Sequence, residues 1–555
     1  MLHYRGIGVV GHEWRADNRA LISAAVFCLA AAFSGGARAA QVYPGCAEPT
    51  TTFNHVWYVD PVHGKAPSDG GNGSKTAPWN SLQGVVSSTR QPGYPHPMLS
   101  TVPYDHYSHP NSEGKRIYAD GPSSDPTRVQ PGDEILLMTG QYGDVYIGIY
   151  GSRIANPAFV TIAAAPGQTP ALSTFTAMGS SYFVFSGIKV QSLGQGPGGR
   201  GLITIGDWGA AAPASNIVLD HLTVSAADPS VYASWTQAEW AANTRLGILV
   251  RGQNTTCVSV VNSRITANHF GLAVLADKTM VTRNEIDHFG DDGINYAASD
   301  ISITHNYIHD SMDWGIGAHQ DGMQGYPGSF SNVVIDSNRV VRQADPKLPF
   351  PSVLQGIDAF DGDWTNLVVV NNVIVTSSCW GIGYASVHGG MIVNNTAVDD
   401  GSDVGTKNAA GNIMCRPWIG VGDKSHEGSS SNDVTIRNNI ANFYRIVGVA
   451  PTVTMDHNIC LAIDGRCPIA STVGGKLKIV STAGEYNNHN VIERRGAAGM
   501  FVGWDPAHLA FDVRLKPDAL AIGAGNPAGA PPVDITGAPR GSRVDIGAYQ
   551  YRPGK

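Results

Sequence analysis

Asp300-Ile-Ser-Ile-Thr-His-Asn306-Tyr-Ile-His309 is the stretch that decides the fold. At its centre lies a pattern of one apolar residue, two residues, Asn, one residue and one apolar residue: Ile303, Asn306, Ile308. The pattern recurs as Ile335-Asn338-Val340, Val369-Asn372-Ile374, Ile392-Asn395-Ala397, Ile436-Asn439-Ala441 and Met455-Asn458-Cys460. An upstream copy, Met280-Asn284-Ile286, carries one extra residue at its start, and Asp220 and Ser263 take the Asn place in two earlier copies. Steps near 22 residues correspond to one turn of a coil, and the longer steps, up to 44 residues, to the same turn with a loop inserted.

The segments around each Asn are short, β-branched and alternating, are broken by Gly, Asn and Asp, and lack a helical period. Asn suits such a turn because it tolerates the left-handed region and its amide bonds to nearby backbone. Identical Asn residues on successive coils can also bond to one another along the axis. The expected fold is all-β, a right-handed parallel β-helix solenoid with N- and C-terminal caps and strands roughly 4.8 Å apart.

Ala20 to Phe33 is an apolar run behind Arg15 and Arg19, followed by the small-x-small site Ala37-Arg-Ala39. Residues 1–39 therefore read as a secretory signal peptide, and the mature protein is expected to be secreted or periplasmic. Residues 40–130 are expected to form an N-terminal cap with an irregular segment, 131–475 the coils, and 476–555 a C-terminal cap and tail. Insertions at Ala226 to Thr244, Gln343 to Val353 and Gly401 to Asn432 interrupt the coils. Their aromatic residues Tyr232, Trp235, Trp240 and Trp418 are candidates to wall a sugar-binding groove. No later segment is apolar enough to span a bilayer.

The net charge of −8, or −10 without residues 1–39, disfavours nucleic acid as a partner. An anionic polymer would need a local basic patch or a metal, and Arg251, Arg283, Arg342 and Arg416 are candidates for the former. Six cysteines remain after residue 39, an even number that favours disulfides in an oxidising compartment. Cys460–Cys467 flank a short loop and are expected to pair, with Cys379–Cys415 and Cys46–Cys257 as the other pairs.

A resemblance accompanies these readings. The opening Trp57-Tyr-Val-Asp60, Gly70-Gly-Asn-Gly-Ser74 and Pro78-Trp-Asn-Ser-Leu-Gln83 resembles the start of many bacterial right-handed parallel β-helix proteins of the pectate-lyase-like superfamily. Pro131-Gly-Asp-Glu-Ile-Leu-Leu137 resembles their first coils, and Arg543-Val-Asp-Ile-Gly-Ala-Tyr549 their C-terminal segment. The resemblance implies the fold over about residues 55 to 550, but one fold hosts many activities.

Chemistry is expected where a second motif, x-Gly-apolar-x-apolar, repeats: Phe270-Gly-Leu-Ala-Val274, Asp292-Gly-Ile-Asn-Tyr296, Asp321-Gly-Met-Gln-Gly325, Gln355-Gly-Ile-Asp-Ala359 and Trp380-Gly-Ile-Gly-Tyr384. Aligned on Gly, the column before it reads Phe270, Asp292, Asp321, Gln355, Trp380. The column three residues later reads Ala273, Asn295, Gln324, Asp358, Gly383. Polar groups occupy three consecutive coils and apolar or small residues close both ends. Asp291, His319, Asp361 and Asp363 lie at the margins, with His269, His288 and His309 on nearby turns.

Taken singly, each Asp is as readily a solvated turn residue. Together they fit either a Ca2+ site of hard oxygen ligands or an acid–base pair. Asp291-Asp-Gly-Ile-Asn295 resembles the Asp-Asp-Gly-x-Asp calcium motif of family-nine pectate lyases, with Asn295 in place of the final Asp and no Lys base in the patch. That resemblance implies a lyase cleaving a uronate polysaccharide by β-elimination, with Ca2+ held by Asp291, Asp292 and Asp321; His319 is the stand-in for the missing Lys base. Gly290-Asp-Asp292 weakly resembles polygalacturonases, which gives a glycoside hydrolase with paired Asp as the alternative. A non-catalytic glycan-binding β-helix is the third reading. Across these readings the site residues are Asp292, Asp321, His319 and Asp358 for catalysis, and Gln324, Gln355, Asn295, Trp314, Trp364 and Trp380 for substrate binding. A polysaccharide is the expected partner, of a monomeric protein.

Overall fold

The computed structural model describes residues 42–554, apart from 90, 103, 106–117, 120–122, 149–152, 194–199, 316, 403–415, 425–428, 462–468, 474–475 and 481–488. The proposed signal peptide and two of the cysteines, Cys415 and Cys467, lie outside the described residues.

The chain winds as a parallel β-helix. Each coil contributes one strand to each of three long sheets of 14, 13 and 14 strands, in nearly uninterrupted sequence order. One coil runs through Ile301–Thr304 in the first sheet, the Asn306 turn, Tyr307–His309 in the second, and Gln320–Gly325 in the third. Inward side chains stack as a continuous core that includes Ile303, Ile335, Val369, Ile392 and Ile436, all fully buried. The first strand, Val56–Val59, pairs with Glu134–Leu137, so the solenoid begins inside the segment expected to be a cap. No helix among the described residues is long and apolar enough to cross a membrane.

The asparagine ladder forms as a buried hydrogen-bonded column. From Asn284 through Asn306, Asn338, Asn372, Asn395, Asn439 and Asn458, each backbone N–H and each Nδ2 donates to the Oδ1 of the next, at 2.9–3.0 Å. The column ends on Asn490, which the spacing did not single out. Two details differ from expectation. The left-handed residue is the one before each Asn: Arg283, His305, Ser337, Asn371, Asn394, Asn438 and His457 have φ of 53–58°. Asp220 is not a ladder member, because its register partner is Val261. Leu222 holds that place, and its N–H donates to Ser263 Oγ at 3.0 Å.

The C-terminal segment lies along the outside of the second sheet. Met500, Phe501, Val513, Leu515, Ile535 and Ile546 pack on Val341, Val373, Val375, Val398 and Ile440. Asn394 Nδ2 and Asn438 Nδ2 donate to backbone carbonyls of Asp545 and Asn526 at 2.9 and 2.8 Å. The Cys46–Cys257 disulfide ties the N-terminal segment to the coils. Cys379 and Cys460 are also disulfide-bonded.

Candidate functional site

Strand register in the third sheet aligns the two columns. Ala273 pairs with Asn295, Asn295 with Gln324, Gln324 with Asp358 and Asp358 with Gly383, while Asp321 pairs with Gln355. The Gly of each motif is required by space: a Cβ on Gly356 would sit 2.0 Å from the Gly381 carbonyl oxygen of the next coil. That close stacking brings Asp292, Asp321 and Asp358 within reach of one another.

The three carboxyls form a connected row beneath the surface, with Asp292 1%, Asp321 0% and Asp358 2% exposed. Asp321, in the middle, lies within hydrogen-bonding reach of both neighbours. Asp292 Oδ1 accepts from the Asp321 backbone N–H at 3.1 Å, and its Oδ2 accepts from Asn295 Nδ2. Gln355, its amide oriented so that nitrogen donates, bridges Asp321 Oδ1 at 2.9 Å and Asp358 Oδ2 at 3.0 Å. Below, Tyr296 OH lies 2.7 Å from Tyr384 OH and donates to the Asp358 carbonyl at 3.3 Å.

Burial and mutual repulsion push the outer two carboxyls, Asp292 and Asp358, well above the usual aspartate range. Burial also raises Asp321, but His319 holds it back. His319 is the surface member of the group: its Nδ1 lies 2.7 Å from Asp321 Oδ2, and its side chain is 62% exposed while that of Asp321 is 0%. The bond to Asp321 raises the imidazole above its ordinary value. With Nδ1 engaged, Nε2 is the free nitrogen of the ring. Gln324 and Tyr326 are half-buried nearby. Tyr326, absent from the sequence reading, has a hydroxyl close enough to Asp292 to bond it, and burial beside that carboxyl keeps it protonated.

The expected site residues fall into two groups. Asp292, Asp321, Asp358, His319, Asn295, Gln324 and Gln355 are brought together. Asp291, half-buried, sits beside them with Oδ2 3.5 Å from His269 Nε2. His288 and His309 belong to second-sheet strands, on a different face. Trp364 is corrected: it is fully buried in the core, edge-on to Tyr296, and cannot stack on a sugar. Trp314 is corrected too, being 3% exposed and stacked on Trp240 with centroids 5.7 Å apart. Only Trp380 of the three is half-buried.

The groove-wall expectation for the insertions also needs revising. Tyr232 and Trp240 pack with Met312, Trp314 and Leu348 into a satellite core. Trp314 presses on Gly290, where a Cβ would lie 2.0 Å from its ring, so this core props up the Asp291-Asp292 turn. Of the candidate arginines, Arg342 pairs with Asp400, Arg416 with Asp399, and Arg283 with Asn262 on the asparagine turn. Arg251 remains exposed at the end of a third-sheet strand.

Calcium fits this donor set poorly. Asp292, His319 and Asp321 offer atoms within 4.8 Å of one another. Ca2+ takes about six to eight oxygen ligands; of the expected set Asp291, Asp292 and Asp321, this close-lying group keeps Asp292 and Asp321 and has an imidazole as its third member. Both oxygens of Asp292 and of Asp321 already face N–H donors.

No family model matches this sequence, and no curated protein matches it. Among solved structures, the pectate lyase Pel9A is similar over 90% of this chain and 97% of its own, with 14% identity and a TM-score of 0.40. The A-module of the Azotobacter vinelandii mannuronan C-5 epimerase AlgE4 is similar over 65% of this chain and 89% of its own, with 12% identity and a TM-score of 0.34. PfbA, a surface adhesin of Streptococcus pneumoniae, is similar over 64% and 88%, with 10% identity and a TM-score of 0.35.

Proposed function

We propose that this protein is an exported polysaccharide lyase that cleaves a uronate-containing glycan by β-elimination. The observation that carries the reading is the His319–Asp321 pair, an exposed imidazole oriented by a buried carboxylate. In its neutral form His319 donates from Nδ1 to Asp321 and presents the Nε2 lone pair outward, as a general base must. Nε2 takes the proton on C5, the carbon α to the uronate carboxylate. The electron pair moves into the C4–C5 bond as the C4–O bond breaks. Tyr326, kept protonated, is positioned to donate to the departing oxygen, and Asp292 beside it to re-supply the proton. Gln324 offers an amide N–H to the uronate carboxylate as charge builds there.

The hydrolase reading is less well supported. Paired carboxyls in glycosidases stand about 5–5.5 Å or about 6.5–9.5 Å apart and contact the sugar. Here neighbouring carboxyls are within hydrogen-bonding reach of each other and are at most 2% exposed.

The test is a panel of acidic and neutral polysaccharides, with Ca2+ or with chelator, read for reducing ends and for the ultraviolet absorbance of unsaturated uronates. Both signals should rise together on a uronan and persist in chelator. Reducing ends without absorbance would make the protein a hydrolase. Binding without either signal would make it a glycan-binding β-helix.

A further inference from the structure

Beyond Asp358, the outward column of the third sheet continues through Gly383 and Gly420 to Arg445, each paired with the next in register. The two glycines leave the sheet surface without side chains of its own, and aromatic rings fill part of that space. A Cβ on Gly383 would lie 2.6 Å from the Trp418 ring and 2.7 Å from that of Phe360. Trp418 therefore reaches back toward Asp358. Arg445 in turn lies over Trp418, its guanidinium carbon 5.4 Å from the ring centroid. Arg445 is exposed, and no carboxylate pairs with it among the described residues. Three strand steps separate its backbone from Asp358, roughly 14 Å, and the side chain lies over a ring that itself leans back toward the site.

We infer that Arg445, held over Trp418, is an anion subsite that binds a carboxylate of the glycan chain and holds it in register with His319. A guanidinium held over an aromatic ring is partly pre-oriented, so it gives up less freedom when it forms a paired hydrogen bond with a carboxylate. Cation–π contact with Trp418 does not use up the N–H donors of the exposed guanidinium. The spacing along the coils is comparable with the rise of successive sugars in an extended glycan, so an anion held here would place another unit beside His319. The inference rests on the lyase reading for the identity of the glycan, but not for the existence of the subsite.

The experiment measures binding apart from turnover. Oligogalacturonates, oligomannuronates and neutral cello-oligosaccharides are titrated calorimetrically into a His319→Ala protein, and then into the same protein with Arg445→Gln or Arg445→Lys. Arg445→Gln should weaken binding of an acidic oligomer about 10- to 100-fold, flatten its salt dependence and leave neutral oligomers unaffected, with Arg445→Lys between the two. Circular dichroism melts check that the exposed substitution leaves the fold intact. Equal acidic-oligomer affinity in the Arg445→Gln protein, or no affinity for either acidic series in its parent, would overturn the subsite. Turnover by the otherwise native enzyme separates the two proposals. Arg445-dependent binding with no elimination product refutes the lyase and keeps the subsite, whereas elimination with unchanged KM in Arg445→Gln does the reverse.

Discussion

Replacing Asp358 with Asn should make the fold less sensitive to pH. Asp358 is buried, and burial together with Asp321 raises its proton affinity well above that of an exposed aspartate. The folded state therefore keeps a proton that the unfolded chain has already released. A raised carboxyl contributes stability that is fully present below its unfolded value near 3.8 and is lost as pH rises through the folded value. Each retained proton tilts the free energy of unfolding by about 1.4 kcal/mol per pH unit within that window. Asp292 and Asp358 are both raised well above the usual range, so their combined slope reaches about 2.7 kcal/mol per unit where both keep protons that the unfolded chain has lost.

Asn at position 358 mimics the protonated form. Its Oδ1 accepts from Gln355 as Asp358 Oδ2 does, and its Nδ2 donates toward Asp321 as the carboxyl proton would. The slope should fall by about 1.4 kcal/mol per unit, so the variant matches the parent in mild acid and exceeds it at alkaline pH. Urea unfolding between pH 4 and 9 measures the difference directly. Parallel pH profiles for the two proteins, or a variant destabilised equally at every pH, would refute the shared-proton picture. The second outcome would make Asp358 an ionised structural carboxylate.

Other outcomes follow from the same geometry. His319→Ala should abolish elimination, and Asp321→Asn should cut it about 10²- to 10⁴-fold with little change in melting temperature. Residual Asp321→Asn activity should also reach its plateau at lower pH, because Asp321 raises the imidazole; rate profiles against pH check the sign. Asn372→Ala strands the buried Asn338 N–H and Nδ2 and the Ile335 and Val370 carbonyls, which should cost about 3–5 kcal/mol in urea unfolding. Cys46 and Cys257 close a chain separation of 211 residues, so replacing both with Ser should cost about 5 kcal/mol on the loop-entropy account, read by the same titration.

The fold was legible because its signal repeats. One Asn per coil is a weak turn marker, but the same apolar-x-x-Asn-x-apolar pattern recurring coil after coil, with loops inserted between copies, points to stacking, and the buried column from Asn284 to Asn490 is that stacking made explicit. The assignment of the left-handed position missed by one residue for a physical reason. Either of two adjacent asparagines satisfies a turn propensity, as at Asn371-Asn372 and Asn394-Asn395, and only the coil-to-coil hydrogen bonds distinguish them. The Gly-aligned columns succeeded because strand register preserves sequence offset: Asn295, Gln324 and Asp358 are neighbours through the backbone itself.

What the sequence could not convey was depth. An outward-facing column need not be exposed, since Asp321 lies beneath its own His319, and a Trp beside a polar column need not face out, since Trp364 fills the core. Depth also decides the chemistry. Carboxyls at the surface would be ionised and free to collect a cation or to contact a sugar. Sealed under an imidazole and an amide, the same carboxyls repel each other in a poor dielectric, which raises the proton affinity of Asp292 and Asp358 while His319 holds Asp321 back. Among the described residues Asp321 meets solvent through His319, and on the proposed reading that burial is what would separate a proton-transfer site from a calcium site built on much the same letters.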